Sequence, residues 1–135
     1  MTGREQVLQG GRAGLLYGAY AFLLGAVLGS VRELFLAPVL GGLAAALMEG
    51  ATMAVLLPLA AWRILERMPP RQGWEVRAAM AAAGLALVVL AEIALDVALE
   101  ASGIAGARAP RSPAERAVGP AVLVWFAAQP LLLRR

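Results

Sequence analysis

The charges of this chain are confined to short blocks, and the stretches between them are each about as long as a lipid bilayer is thick. From Ala13 to Val31 no side chain carries a charge. About 19 helical residues rising 1.5 Å each cover roughly 28 Å, close to the hydrocarbon thickness. Between Glu33 and Arg63 the only charge is Glu49, with Pro38 and the Gly41-Gly42 pair near the start of that block. A third block opens after Arg77, is apolar to Ala91, and then carries Glu92, Asp96 and Glu100. The fourth, Ala117 to Leu133, contains Pro120, Gln129 and Pro130; at about 17 residues it lies at the lower limit for a span. The pattern predicts an all-α fold, an integral membrane four-helix bundle with short loops. It is read as one membrane domain over 1–135, with spans at about 13–31, 42–65, 78–100 and 117–133.

Composition supports lipid as the solvent. Apolar residues make up 61% of the chain and charged residues 16%, with a mean hydropathy of +0.74. A water-soluble domain of this length hides only about two thirds of its surface, so such a composition would leave large apolar patches in water. Residues 1 to 31 also share a basic start, an apolar centre and the small residues Gly29 and Ser30 with a secretory signal. Their apolar stretch is longer than a signal core, and three more apolar blocks would still need lipid.

Orientation follows from arginine, because cytoplasmic loops hold the excess of basic residues. Four spans put the termini and the middle loop on one side, with Arg4, Arg12, Arg63, Arg67, Arg71, Arg77, Arg134 and Arg135. The opposite side has Arg32, Arg108, Arg111 and Arg116. Both termini are therefore expected in the cytoplasm, and Trp62 and Trp74, flanking the middle loop, at the inner interface. The middle loop, 63–77, turns at Pro69-Pro70 with a basic balance that suits anionic headgroups. It has no aromatic platform that would fit nucleic acid. The outer segment from Ser102 to Pro113 reads as an irregular loop.

Absent residue types exclude much chemistry. The chain has no Cys, no His and no Lys, all twelve basic residues being Arg. Disulfides, thiolate nucleophiles, His-ligated haem or zinc, and Lys Schiff bases are thereby excluded. No phosphate-binding loop, HExxH or GxSxG motif is present. An enzyme is not expected, nor a bound cofactor or metal. The Ala- and Arg-rich usage fits a GC-rich bacterial genome.

Small residues and membrane carboxylates are what remain. Gly14, Gly18, Gly25 and Gly29 recur at intervals of four, seven and four on one face of the first helix, as two GxxxG units. Gly42, Ala46, Gly50 and Ala54 form a similar ladder on the second. Such faces let backbones approach closely where lipid offers no hydrophobic drive, and the two ladders are expected to pack together. Glu49 lies among Ala, Leu, Met and Gly. An ionised carboxylate there costs several kcal/mol unless it is paired or faces protein or water. Glu92 lies at a similar expected depth, and Arg32 can snorkel toward either; an intramembrane cluster of Arg32, Glu49 and Glu92 is the expectation. Glu92, Asp96 and Glu100 follow one another at i, i+4 and i+8, so they point into one sector and repel. Arg108, Arg111 and Arg116 are expected to compensate them, with a cation site at Asp96 and Glu100 as the alternative.

Residues 25 to 63, GAVLGSVRELFLAPVLGGLAAALMEGATMAVLLPLAAWR, carry a resemblance. With Gly29, Arg32, Pro38, Gly41, Glu49 and Arg63 in place, this stretch is similar to a set of small, uncharacterised four-helix bacterial inner-membrane proteins, although Gly50 stands where their pattern often has Pro. The resemblance implies a membrane location and a helix count, and no activity. The GAVLGSVR segment is also similar to the opening of fluoride channels, whose Ser/Thr/Phe-rich third-helix signature is missing here. Dual-topology small multidrug pumps place their membrane Glu in the first helix, which here is uncharged. Two functions follow from the residues. One is a structural or accessory component, packing through its Gly and Ala faces with itself as a homo-oligomer or with a larger membrane complex. The other is a small proton- or cation-coupled permease or channel using Glu49 and Glu92, for which the spans offer few polar groups beyond Thr52, Tyr17, Tyr20 and Gln129.

Overall fold

A computed structural model describes residues 2–70, 72–103 and 111–133. The chain is an all-α four-helix bundle. Helix α1 runs Gly3–Val31, a π-helical turn covers Arg32–Leu36, and a short α2 (Ala37–Leu40) completes the same rod. Helices α3 (Gly42–Glu66), α4 (Trp74–Ala101) and α5 (Pro113–Leu132) follow. The rod from Gly3 to Leu40, α3 and α4 are each long and apolar enough to cross a membrane. Helix α5, with Glu115 in its first turn and Pro120 and Pro130 inside, is not among them.

Helices α1 and α5 start before the uncharged blocks because side-chain caps, and not charges, set their N-terminal ends. Helix α1 starts ten residues before Ala13, where Thr2 and Glu5 form a reciprocal capping box, with Thr2 N donating to Glu5 Oε2 at 2.7 Å and Glu5 N to Thr2 Oγ1 at 3.3 Å. Ser112 caps α5 by accepting from Glu115 N at 3.2 Å. Pro38 does not mark the entrance to a new helix. It sits in the first turn of α2, and the chain breaks instead at Gly41, whose φ of 86° favours glycine.

Helices α1 and α4 run parallel in close contact: Gly10 lies on Val76, Gly14 on Met80 and Ala83, and Gly18 on Gly84 and Leu87. Helices α3 and α5 are parallel in the same way, with Gly42 against Glu115 and Gly50 against Val118 and Val122. The antiparallel contacts link α1 to α3 and α4 to α5, so the helices stand in the ring order α1, α4, α5, α3. Helices α3 and α4, consecutive in the chain, lie across a diagonal. Tyr17, Leu57, Met80 and Phe126 fill the middle, and large apolar side chains such as Leu23, Val27, Val55 and Val124 point outward. That inside-out surface is what lipid requires.

Two prolines set the contacts of this centre. Proline has no N–H, so it leaves the carbonyl four residues earlier without its helical donor, and in lipid that carbonyl must find another. Pro130 frees the carbonyl of Phe126, and the buried Tyr17 hydroxyl donates to it at 2.8 Å. The Tyr17 and Phe126 rings stack with centroids 4.1 Å apart. Pro58 frees the carbonyl of Ala54, and the Trp125 indole Nε1 donates to that one at 3.0 Å. Each helix with an internal proline is thus latched by an aromatic donor from another helix.

Candidate functional site

The polar centre of the bundle sits where α1 turns into the π-helical segment. Arg32 follows directly on Val31, and its Nη1 donates to Glu49 Oε2 of α3 at 2.6 Å. Its Nη2 meets Glu33 Oε1 at 2.9 Å, and Arg111, just before α5, reaches the same oxygen at 3.1 Å. Arg32 and Glu49 are largely sheltered, with 16% and 18% of their side chains exposed, against 44% for Glu33. The π-turn widens the helix by a residue and carries Arg32 and Glu33 toward α3 and α5 together. Gly29, one turn before, leaves room: a Cβ there would lie 3.7 Å from Glu49 Oε1.

The expected cluster is therefore present with a different third member. Arg32 and Glu49 meet, but Glu92 does not join them. It is exposed on α4 and makes no hydrogen bond or ion pair among the described residues. The diagonal placement of α3 and α4 separates the two carboxylates, and the second acid on Arg32 is its chain neighbour Glu33. The expected compensation of the acidic run also differs. Arg111 serves Glu33, Arg116 makes no ion pair with Asp96 or Glu100, and Arg108 lies outside the described residues. Among the described residues no group of three or more acidic side chains is gathered to hold a metal ion.

Comparison with protein-family models, with curated proteins and with solved structures finds no match.

The glycine ladders split between neighbours and do not pack on each other. Gly14 and Gly18 face α4, where a Cβ on Gly18 would come within 2.7 Å of the Gly84 carbonyl. Gly25 and Gly29 face α3, with Met53 Cε at 3.9 Å from a Cβ on Gly25. Gly42 and Gly50 turn to α5, and Ala46 is buried. The reason is a small-residue face on α4, Ala79, Ala83 and Gly84, whose spacing sets it opposite the glycines of α1. That run of alanines was visible in the sequence, as were the prolines whose carbonyls Tyr17 and Trp125 cap.

The burial of α4 fades toward its C-terminal end. Helix α4 buries Val76, Met80, Ala81, Gly84 and Val88. From Val89 to Ala101 it buries nothing: Ala91 and Leu99 are half-buried and the other eleven positions are exposed. Leu90, Ile93 and Val97 are 64%, 55% and 61% exposed, beside Glu92 and Asp96.

Proposed function

We propose that this chain is a multi-pass protein of the bacterial inner membrane, with both termini cytoplasmic. On this reading it serves as a structural or accessory component that docks against itself or a larger membrane complex. The observation that carries it is the stretch 89–101 of α4, nearly half of a membrane-length apolar helix, in which no residue is buried by the described part of the chain and which carries carboxylates. Glu92 lies nine residues before the end of α4, about 14 Å along the axis. A carboxylate at such a depth is costly against lipid and is tolerated where another protein helix shelters or pairs it. The apolar neighbours Leu90, Ile93 and Val97 would pack in the same contact. The glycine faces, by contrast, are consumed inside the bundle, so they hold this chain together and leave α4 as the docking element. The likeness of residues 25–63 to small four-helix inner-membrane proteins, and the arginine excess beside the termini and middle loop, support the location and orientation.

A photoactivatable phenylalanine analogue placed at Ile93 or Val97 in native membranes should yield protein adducts on irradiation. The same analogue at Leu23 or Val27, lipid-facing on α1, should yield few. Absence of adducts at both α4 positions overturns the reading, and proton flux through a purified monomer in liposomes would put a proton- or cation-coupled permease in its place.

A further inference from the structure

At the opposite end of the bundle, α1 and the last turns of α3 line a groove of about 340 Å³. Arg12, Arg63 and Arg67 stand around it, and Leu16, Ile64 and Met68 give it an apolar floor. None of the three guanidinium groups forms an ion pair with a carboxylate among the described residues. Arg63 instead lies over the exposed Trp62 ring, 5.7 Å from its centroid. Arg12 is the last charge before the uncharged stretch of α1, and Arg63 is the first after that of α3. The groove therefore straddles the boundary where headgroups meet hydrocarbon, and Trp62 belongs to the aromatic belt at that level.

We propose that this groove binds one anionic phospholipid. Its phosphate sits among Arg12, Arg63 and Arg67, and an acyl chain lies along Leu16 and Ile64. Charge complementarity selects the headgroup, because three cations around one groove, paired to no carboxylate among the described residues, attract a phosphate and take it by paired N–H donors. The apolar floor selects a lipid over a free phosphate, since a soluble anion would leave Leu16 and Ile64 uncovered. The bound lipid lies in the groove between α1 and α3. This site is independent of the docking role assigned to α4.

Native mass spectrometry of the detergent-solubilised full chain tests it, with phosphatidylglycerol or phosphatidylcholine of the same acyl chains titrated in. Phosphatidylglycerol should bind as a single tight adduct, and phosphatidylcholine should bind weakly. Each basic side chain near the headgroup contributes about a factor of five, so R12Q/R67Q should weaken the adduct roughly thirtyfold. The control R4Q/R116Q loses the same charge away from the groove and should leave the adduct unchanged. Leu16→Trp, which fills the floor and keeps every arginine, should also weaken it, with helicity by circular dichroism matching the parent. Equal binding of the two lipids overturns the proposal, as does equal loss in R12Q/R67Q and R4Q/R116Q. Displacement of the lipid by equimolar glycerol phosphate would overturn it too, by showing that the floor contributes nothing.

Discussion

Replacing Tyr17 with Phe tests how a proline-broken helix is held in this bundle. The change keeps the ring that stacks on Phe126 at 4.1 Å and removes only the hydroxyl that donates to the Phe126 carbonyl at 2.8 Å. That carbonyl lost its helical donor to Pro130, and both Tyr17 and Pro130 are fully buried. A buried acceptor left without a partner costs about 1–3 kcal/mol, whereas interhelical hydrogen bonds measured within membranes average about 0.6 and reach about 1.7 kcal/mol. The membrane values are the closer comparison, so Tyr17→Phe should destabilise by about 1–1.5 kcal/mol. In a Pro130→Ala background the residue at 130 regains its N–H and can serve the Phe126 carbonyl itself. The same Tyr17→Phe step should then cost only about 0.5 kcal/mol. The difference is a coupling energy, measured by a double-mutant cycle of reversible unfolding in mixed detergent micelles, and it cancels whatever cavity Pro130→Ala leaves. An equal cost of Tyr17→Phe in both backgrounds would refute the latch, because the hydroxyl would then be acting on something other than the carbonyl that the proline frees.

The ion-pair centre predicts an asymmetry in the same unfolding assay. Arg32→Leu strands the sheltered Glu49, while Glu33 keeps Arg111, and should cost about 3 kcal/mol, within the range for breaking a sheltered pair; Glu49→Gln keeps a hydrogen-bond acceptor for Arg32 and should cost about 1 kcal/mol. Equal costs would argue against a bridging Arg32. The glycines of α1 should also separate by neighbour. Gly14→Ala drives a methyl into the Met80 backbone and should destabilise by about 2 kcal/mol, whereas Gly25→Ala meets only the end of Met53 at 3.9 Å and should be neutral or stabilising through its better helix propensity.

Much of the architecture is legible from residues alone, for reasons that differ between elements. The uncharged blocks fixed where α1, α3 and α4 lie because bilayer thickness and helical rise leave little choice of length. The ends of those helices were not legible from charge. Thr2 and Glu5 extend α1 through Arg4 and Arg12, since a capped helix tolerates charge that a span does not. The pairing of Arg32 with Glu49 was also foreseeable, because an acid on one apolar helix has few cations within reach. Its third member was not, because Glu33 and Glu92 are equally good acids and only helix placement chooses between them.

Taken by itself, the sequence determined the helical class, the lipid solvent and the need to shelter Glu49, because each depends on local composition and on the cost of charge in hydrocarbon. The tertiary structure decided which helix meets which. The ring order α1, α4, α5, α3 puts glycines on alanines, sets Tyr17 and Trp125 against carbonyls freed by Pro130 and Pro58, and leaves the acidic end of α4 with no residue buried by the described part of the chain. Those outcomes depend on which faces meet, and helix faces of comparable smallness on α3 and α4 could each have received α1. The packing of all four helices at once resolved that choice.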